Sequence, residues 1–306
     1  MTVAFVFPGQ GSQEVGMLAA FAAEPAVVRT LEEAADALSF DLARVIAEGP
    51  EADLARTEIT QPALLTASVA LWRLWRERGG AAPSRMAGHS LGEYSALVSA
   101  GALAFADGVR LVRERGRLMQ RAVPAGAGAM AAILGLDDDA VLACCAGIDG
   151  VVSAANFNAP GQVVIAGATD AVDRAVAACQ ASGARRAMRL AVSVPSHCAL
   201  MKPIEADFAA ALARVPWALP TVPVVHNVDA AEAASGDAIA AKLLRQLSQP
   251  VQWTRCVERM RESGVDRYVE CGPGRVLGGL IKRIDKAAGI AALGSAKDFA
   301  AALEVA

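Results

Sequence analysis

The chain has 306 residues, of which 54% are hydrophobic and 20% are charged, and 29 Lys and Arg against 32 Asp and Glu give a net charge of −3. This apolar content excludes a disordered chain and provides for a large core, and the length fits one large domain, alone or with a smaller one. The mildly acidic balance argues against a dedicated nucleic-acid binder, which usually carries a basic surplus.

The first part of the chain predicts an α/β arrangement, in which buried strands alternate with helices. A short apolar run at 3–7 is typical of a buried strand, and turn residues stop it at 8–11. A helix at 61–78 has Pro62 near its start and two glycines after its end, the asymmetry expected of a helix. The predicted elements here are a strand at 3–7, helices at 25–47 and 61–78, a strand at 85–87, and helices at 93–100 and 106–123.

Residues 127–194 predict a small domain with its own order of strands and helices. The predicted strands 129–134, 151–155, 162–166 and 187–194 alternate with helices 137–146 and 169–182. This order, β-α-β-β-α-β, is that of the ferredoxin-like split unit. We therefore expect a small domain at 127–194, inserted into a large domain made of 1–126 and 195–306. The large domain then adds strands at 222–228 and 267–271 and a helix after residue 274.

Residues 88–92 read Gly-His-Ser-Leu-Gly, a G-x-S-x-G pattern between a predicted strand and a predicted helix. The glycines allow a sharp turn that projects the Ser90 hydroxyl at the start of the helix, where backbone N–H groups favour negative charge. Ser90 would then be a nucleophile, and the Leu91 N–H would be half of an oxyanion hole. The alternative is an ordinary glycine-rich turn in which Ser90 caps the helix.

A nucleophilic serine needs a base, and the chain has three histidines, His89, His197 and His226. His89 adjoins Ser90 and leaves the turn in another direction, which favours a structural role. His226 lies in an apolar run typical of a strand, so its default interpretation is a core histidine. His197 lies where the small domain returns to the large one, and loops at domain junctions line clefts. The residues alone leave the choice open, and no Asp is positioned to orient the base.

Arg115 lies between Leu111 and Leu118 on the apolar face of the helix predicted at 106–123. A buried guanidinium must be paired, because an unpaired buried charge costs too much free energy. One interpretation is an internal salt bridge to a core Asp or Glu. The other is a fork that binds a substrate carboxylate through two hydrogen bonds. The spacing does not decide between them.

The loop at 9–14 matches a dinucleotide-binding fingerprint only in part, since Glu14 occupies the place of the third glycine. A loop aimed at Ser90 fits better, with the Gln10 N–H as the second oxyanion donor. No Walker motif or paired metal-ligand spacing occurs. We therefore predict no metal and no nucleotide cofactor.

The six cysteines show no C-x-x-C pair and no disulfide-framework spacing. Together with a start that has no signal-peptide character, this favours reduced thiols and a cytoplasmic location. The most apolar stretch, 63–71, is too short to span a bilayer. We therefore expect no membrane association.

Six segments occur together in an order that a known family shares. They are 7–13 (FPGQGSQ), 88–93 (GHSLGE), 115–116 (RG), 156–167 (NFNAPGQVVIAG), 194–197 (VPSH) and 270–274 (ECGPG). In this set the chain resembles, over essentially its whole length, the malonyl-CoA:acyl carrier protein transacylases of dissociated fatty acid synthesis. The resemblance implies an α/β-hydrolase-like large domain with a ferredoxin-like insert.

The resemblance also implies a role for the candidates found so far. Ser90 would take the malonyl group as an ester, and His197 would be its general base. Arg115 would hold the free malonyl carboxylate. The backbone N–H groups of Gln10 and Leu91 would form the oxyanion hole.

Two further residues and the reaction follow from the same resemblance. A backbone carbonyl, and not an Asp, would orient the histidine, and the segment 244–247 points to Gln246 for it. Asn158 would lie near the cleft and bind substrate. The reaction would be a ping-pong transfer from malonyl-CoA to the phosphopantetheine thiol of acyl carrier protein. The enzyme would be a monomer without a cofactor of its own, because the partner carries the phosphopantetheine.

Acyl carrier proteins are acidic, so a chain of negative net charge needs a local basic patch to bind one. Two clusters are candidates: Arg185, Arg186 and Arg189 in the small domain, and Lys282, Arg283 and Lys286 in the large one. Scattered solubilising charge is the alternative for each cluster.

Three rival functions use the same residues. A thioesterase or esterase would pass the acyl group from Ser90 to water, which leaves a carboxylate-binding Arg115 without a purpose. A transacylase of malonate decarboxylase would differ only in its carrier protein. A catalytically silent scaffold that binds carrier protein would not need Ser90, His197 and Arg115 together. The sequence leaves the use of methylmalonyl groups open.

Overall fold

The structure, a computed structural model, describes residues 2–190 and 194–305. The strands are β1 (Val3–Phe7), β2 (Arg85–Gly88), β3 (Gly128–Leu134), β4 (Val152–Ala159), β5 (Gln162–Ala168), β6 (Arg186–Arg189), β7 (Val224–Val225), β8 (Arg267–Glu270) and β9 (Gly289–Ala292). The helices of the first half are α1 (Pro25–Leu38), α2 (Leu42–Glu48), α3 (Glu51–Leu54), α4 (Thr57–Glu77), α5 (Gly92–Ser99), α6 (Phe105–Ala122) and α7 (Asp138–Ala146). Those of the second half are α8 (Thr169–Ala181), α9 (Glu205–Leu212), α10 (Gly236–Gln246), α11 (Trp253–Glu262), α12 (Val276–Ile284) and α13 (Ala296–Val305).

The large sheet has five parallel strands in the order β7-β2-β1-β8-β9. Its central strand, β1, is an unbroken apolar run, as expected where helices cover both faces of a parallel sheet. On one face, the Phe5 ring lies 5.2 Å from the ring of Trp72 and 5.4 Å from that of Trp75, both on α4. This packing places α4 against the sheet, and α6 packs beside α4.

The small sheet has four antiparallel strands in the order β4-β5-β3-β6. With α7 and α8 it follows the chain order predicted for a ferredoxin-like unit, so the fold class, an α/β-hydrolase-like unit with this insert, is confirmed. The sheet occupies residues 128–189, inside the segment 127–194. The exact domain bounds at 127 and 194 stay a prediction.

Backbone hydrogen bonds join the small sheet to the large unit. The Phe157 N–H donates to the Val251 carbonyl at 2.9 Å, and the Val251 N–H donates to the Ala155 carbonyl at 2.9 Å. Strand β4 is thereby tied to the segment that leads into α11. The junction between the two sheets is where the candidate site lies.

Several predicted element bounds were wrong. The helix predicted at 25–47 is two helices, because Ser39 takes a left-handed conformation and the Asp41 side chain then caps α2 by accepting from the Arg44 N–H at 2.9 Å. The helix predicted from 61 begins at Thr57, so Pro62 lies inside it and not near its first turn. The strand predicted at 187–194 is β6, Arg186–Arg189, and residues 191–193 lie outside the described residues.

Candidate active site

Ser90 lies at a sharp turn between β2 and α5, as the G-x-S-x-G pattern predicts. Its φ of +51° is left-handed, a strained conformation for a residue with a side chain. The turn is also tightly packed: a Cβ on Gly88 would lie 1.9 Å from the Gly92 carbonyl carbon, and one on Gly92 would lie 2.0 Å from the Phe7 carbonyl oxygen. Only glycine fits at these two positions, and their close approach presents the Ser90 hydroxyl at the start of α5.

His197 is the histidine that reaches Ser90. The distance from Ser90 Oγ to His197 Nε2 is 2.7 Å, and that from His197 Nδ1 to the Gln246 backbone oxygen is also 2.7 Å. Because a carbonyl oxygen only accepts, the proton of the neutral ring is on Nδ1, and Nε2 is free to accept from the Ser90 hydroxyl. The His197 N–H also donates to the Leu247 carbonyl at 3.1 Å. The structure thus brings Ser90, His197 and Gln246 into one chain of hydrogen bonds.

The His197 ring is neutral over the physiological range. Its burial, with the positive charge of nearby Arg115, lowers the pKa of His197 to about 3. The hydrogen bond to the Gln246 carbonyl opposes this shift. A neutral imidazole with its lone pair toward a hydroxyl is the form that a general base requires.

Arg115 is buried on the inner face of α6, as its spacing predicts. Its Nη1 donates to Gln61 Oε1 at 3.0 Å, and its Nη2 donates to Gln246 Oε1 at 3.0 Å and to Ser90 Oγ at 3.4 Å. Within residues 2–190 and 194–305, no carboxylate lies within ion-pair distance of it. The internal salt bridge that the sequence left open therefore has no support, and the guanidinium borders the cavity beside Ser90.

Asn227, a buried residue that was not predicted from the sequence, supports the turn through two hydrogen bonds. Asn227 Oδ1 accepts from the Ser90 N–H at 2.7 Å, and Asn227 Nδ2 donates to the Gly88 carbonyl at 2.7 Å. One side chain thus bridges the two ends of the strained turn. Asn227 directly follows His226, and the only available signal was a polar residue after an apolar strand.

The Glu93 carboxylate organises this supporting layer. Its Oε2 accepts from the Asn227 N–H at 2.8 Å and from Gln246 Nε2 at 2.9 Å, and its Oε1 lies 2.8 Å from His226 Nδ1. All four groups are buried. His226 is therefore a hydrogen-bonded core histidine, as expected, and Glu93 ties together the start of α5, the segment after β7 and the end of α10.

The two expected oxyanion donors, Gln10 and Leu91, both border the cavity beside Ser90. The Gln10 side chain is held by a hydrogen bond from its Nε2 to Thr57 Oγ1 at 3.4 Å. Within the described part of the chain, neither backbone N–H has a hydrogen-bond acceptor. Both donors are thus available to a substrate oxygen that binds next to the Ser90 hydroxyl.

Asn158 does not border this cavity in the described structure; Asn156 does. His89 Nε2 donates to Asn158 Oδ1 at 2.7 Å, and the His89 ring lies 5.6 Å from that of Trp253. Burial lowers the pKa of His89, so it is a neutral structural histidine, as expected. The described contact of Asn158 with the cavity wall is through His89, and its substrate-binding role stays a prediction.

The cavity beside Ser90 has a volume of about 110 Å³. Its wall is formed by Gln10, His89, Ser90, Leu91, Arg115, Met119, Met130, Asn156, Leu190, Val194, Ser196 and His197. Residues near both sheets contribute, since Met130 lies on β3 and Leu190 directly follows β6. Pockets for drug-sized ligands measure about 300–1,000 Å³, so this one suits a short acyl group.

A larger cavity of about 500 Å³ lies between β9, α12 and α13. Its buried carboxylate, Glu270, already accepts from the N–H groups of Leu277 and Gly278 at 3.0 and 2.8 Å. Arg275 at its rim is paired with Asp298. Both charged groups already have partners within the protein, so the smaller cavity beside Ser90 is the better candidate for an active site.

The described residues lack two kinds of feature. Among them, no group of three or more His, Cys, Asp and Glu side chains is arranged to hold a metal ion. None of the helices in 2–190 and 194–305 combines the length and the apolar character that crossing a bilayer requires.

Comparison with known proteins identifies the family. Residues 4–294 match the family model described as the acyl transferase domain. The chain is 58% identical to malonyl CoA-acyl carrier protein transacylase of Escherichia coli K12, over 99% of both chains. It is 43% identical to a Staphylococcus aureus protein of that name, over 92% of both.

Solved structures agree with this result. A malonyl-transacylase in complex with its type II PKS acyl-carrier protein superimposes with a TM-score of 0.98, at 53% identity and 99% coverage of both chains. An acyl carrier protein S-malonyltransferase from Vibrio cholerae gives a TM-score of 0.96 at 52% identity, covering 98% of this chain and 99% of that one. The chain is therefore an acyltransferase and belongs to the family of malonyl-CoA–acyl carrier protein transacylases.

Proposed function

We propose that this enzyme transfers the malonyl group from malonyl-CoA to the phosphopantetheine thiol of acyl carrier protein, through a malonyl ester of Ser90, and so supplies fatty acid biosynthesis. The observation that best supports this proposal is the set of residues around one small cavity. Ser90, hydrogen-bonded to a neutral His197, borders the cavity together with Arg115, a buried arginine whose described partners include no carboxylate. The first pair provides acyl transfer, and the arginine provides a binding partner for an acidic acyl group.

In the first half-reaction, His197 Nε2 takes the Ser90 proton while Ser90 Oγ bonds to the thioester carbonyl carbon. The N–H groups of Gln10 and Leu91 donate to the oxygen that becomes negative. The bond from carbon to sulfur then breaks, and the sulfur leaves with the proton from His197 as the thiol of coenzyme A. The malonyl group stays on Ser90 as an ester.

In the second half-reaction, the carrier protein's phosphopantetheine thiol takes the place of coenzyme A. His197 accepts the thiol proton, and the sulfur bonds to the ester carbonyl carbon. The bond from that carbon to Ser90 Oγ breaks, and Oγ takes the proton back from His197. The enzyme returns to its starting state, so the protein needs no cofactor of its own.

Arg115 supplies the selection for malonyl. A guanidinium binds a carboxylate through two parallel hydrogen bonds, and burial strengthens the pair. An acetyl group has no carboxylate and would leave the buried Arg115 without an anion. The resulting loss of binding free energy is on the order of several kcal/mol. The Arg115 side chain lies 3.4 Å from Ser90 Oγ, close to the position of a bound acyl chain.

The carrier protein as partner is supported by the relatives, whose names include acyl carrier protein, and by the solved complex of a transacylase with its carrier. Of the two candidate docking patches, the one on β6 has the stronger support. Leu190, which follows β6, borders the cavity, and Arg186 is exposed. Arg189 of this patch is already paired with Asp173.

The other patch is partly engaged within the protein. Arg283 Nη1 donates to Gln162 Oε1 at 2.6 Å, and Arg283 Nη2 donates to the Pro160 carbonyl at 3.3 Å. Lys282 Nζ donates to the Lys286 carbonyl at 3.3 Å. We therefore propose that the carrier protein docks at β6. We also propose that the enzyme works as a monomer, because one chain forms the whole cavity, and in the cytoplasm, because all six cysteines are free.

A transfer assay tests the proposed function. The protein is incubated with malonyl-CoA and holo acyl carrier protein, and the mass of the carrier is followed with time. We expect a malonyl adduct on the holo carrier and none on the apo carrier, which lacks the thiol, and parallel lines in double-reciprocal plots of initial rates. Release of free malonate at the same rate with and without carrier would contradict the proposal and indicate a hydrolase.

A further inference from the structure

The two side chains that hold Arg115 are both neutral amides. Gln61 on α4 and Gln246 at the end of α10 each offer a side-chain oxygen at 3.0 Å from a guanidinium nitrogen. The exposed fractions of the three residues are 1% for Arg115, 1% for Gln61 and 0% for Gln246. Buried arginines usually pair with carboxylates, which neutralise the charge. Here the two terminal nitrogens are hydrogen-bonded, but no described carboxylate neutralises the charge.

A buried carboxylate is present, but it lies on the far side of the Gln246 amide. Gln246 Nε2 donates to Glu93 Oε2 at 2.9 Å and to the Ser90 carbonyl at 3.1 Å. These two acceptors fix the orientation of the amide, because its NH₂ group must face them, and its oxygen must then face Arg115. Gln246 therefore separates the guanidinium from the Glu93 carboxylate by one neutral group.

The guanidinium also keeps hydrogen-bonding capacity. Arg115 Nε is buried and has no hydrogen-bond partner in the described part of the chain. The guanidinium carbon lies 5.4 Å from the ring centroid of Tyr94, a weaker contact than an ion pair. A buried cation with free donor capacity beside a small cavity is a site for an anionic group.

We propose that Gln61 and Gln246 are specificity-determining residues. Their amides position Arg115 while leaving its charge without a counter-ion, so that the free carboxylate of the acyl group supplies it. The inference rests on the proposed acyl transfer through Ser90. A carboxylate at position 61 would accept the same hydrogen bond in nearly the same volume, but it would neutralise Arg115 and compete with the substrate.

The test is Gln61→Glu, with the rates of Ser90 acylation by malonyl-CoA and by acetyl-CoA measured separately by intact mass. Gln61 suits the exchange because its amide nitrogen has only a weak partner, the sulfur of Met119 at 3.4 Å. We expect the malonyl-to-acetyl rate ratio to fall by about 100-fold or more, since a competing anion removes the differential binding. An unchanged ratio would overturn the inference.

The matched control is Gln61→Met, which has a similar volume and neither the hydrogen bond nor a charge. We expect both rates to fall and the ratio to change by less than about 10-fold, because the charge on Arg115 remains uncompensated. A ratio that falls as far in Gln61→Met as in Gln61→Glu would also overturn the inference, because hydrogen bonding alone would then set the preference.

Two measurements keep the result interpretable. Thermal unfolding verifies that each variant is folded, and Gln61→Asp, a shorter carboxylate at the same position, replaces Gln61→Glu if the latter does not fold, with a fall in the ratio again expected. Gln246 is unsuitable for this exchange, because its amide nitrogen donates to the Glu93 carboxylate. Wild-type protein is measured alongside. If wild type forms no malonyl adduct, the proposed function fails. If wild type forms the adduct and prefers malonyl, but the carboxylate variant keeps that preference, only the inference about the amides fails.

Discussion

The two sides of the cavity hold their polar groups in different ways. On the catalytic side, Ser90 and His197 are neutral, and backbone carbonyls of Gln246 and Leu247 hold His197. On the selecting side, Arg115 is charged and is held by side-chain amides from two distant helices. Under the proposed function, reactivity and selectivity are separable: the catalytic side would act on any thioester that reaches it, and the selecting side would decide which acyl group stays.

The largest effect is expected on the catalytic side. Ser90→Ala removes the atom that is proposed to carry the acyl group, and we expect the rate of malonyl transfer to fall by about 10,000-fold or more. The measurement is transfer to holo acyl carrier protein, with binding of malonyl-CoA measured by calorimetry. Because the selecting side is intact in this variant, binding should persist. A variant that still transfers within about 10-fold of wild type would remove Ser90 from the mechanism.

The next effect separates the two sides. Arg115→Ala removes the proposed partner of the malonyl carboxylate, and we expect kcat/KM for malonyl-CoA to fall by about 1,000-fold while that for acetyl-CoA changes by less than about 10-fold. Arg115→Lys keeps the charge but not the two-pronged geometry, and should lie between wild type and Arg115→Ala. Equal losses for both donors would contradict a selecting role.

A smaller effect is expected from Asn227, which supports the turn that carries Ser90. Asn227→Ala leaves the Ser90 N–H and the Gly88 carbonyl without their partner. We expect kcat to fall by about 10- to 100-fold with little change in KM, and the free energy of unfolding to fall by about 2 kcal/mol. Steady-state kinetics and chemical denaturation measure the two quantities.

Asn158→Ala is the matched control for that variant. It also removes an asparagine that contacts a residue of the turn, but its partner is the His89 ring and not the backbone of the strained turn. We expect less than about a 10-fold loss of kcat. A rise of more than about 10-fold in KM for malonyl-CoA in this variant would support the substrate-binding role predicted for Asn158.

The smallest effect is expected from pH. The unfolded or exposed pKa of a histidine is near 6.5, whereas burial and Arg115 lower that of His197 to about 3. The base is active when unprotonated, so its active form persists as the pH falls from about 8 to about 5, and we expect kcat/KM to stay flat there. Circular dichroism verifies folding at each pH. A loss with a midpoint near the ordinary histidine pKa would contradict a buried neutral base.

The parts of the site that are local in the chain could be predicted from the sequence. The G-x-S-x-G turn needs only residues 88–92 and the strand and helix beside them, so the position of Ser90 followed from local physics. The buried face of α6 followed from helical spacing, which placed Arg115 inside. The split between α1 and α2 was missed, although Asp41 offered a capping signal that should have interrupted the predicted helix.

The contacts that hold Arg115 could not be predicted from local sequence patterns. Gln61 lies 54 residues from Arg115, and Gln246 lies 131 residues from it. No local pattern relates such positions, since only the packing of α4, α6 and α10 brings them together. The role of a backbone carbonyl is even less accessible, because every residue has one. The resemblance indicated Gln246, but its side-chain contacts with Arg115 and Glu93 are visible only in three dimensions.

The most direct test of the central claim is the intact mass of the protein after incubation with malonyl-CoA alone, beside a Ser90→Ala control. We expect one malonyl group per chain, absent from the control, stable in buffer and discharged when holo acyl carrier protein is added. Absence of an adduct would contradict the covalent intermediate. An adduct that decays in buffer as fast as it is discharged by carrier protein would contradict transfer and identify water as the acceptor.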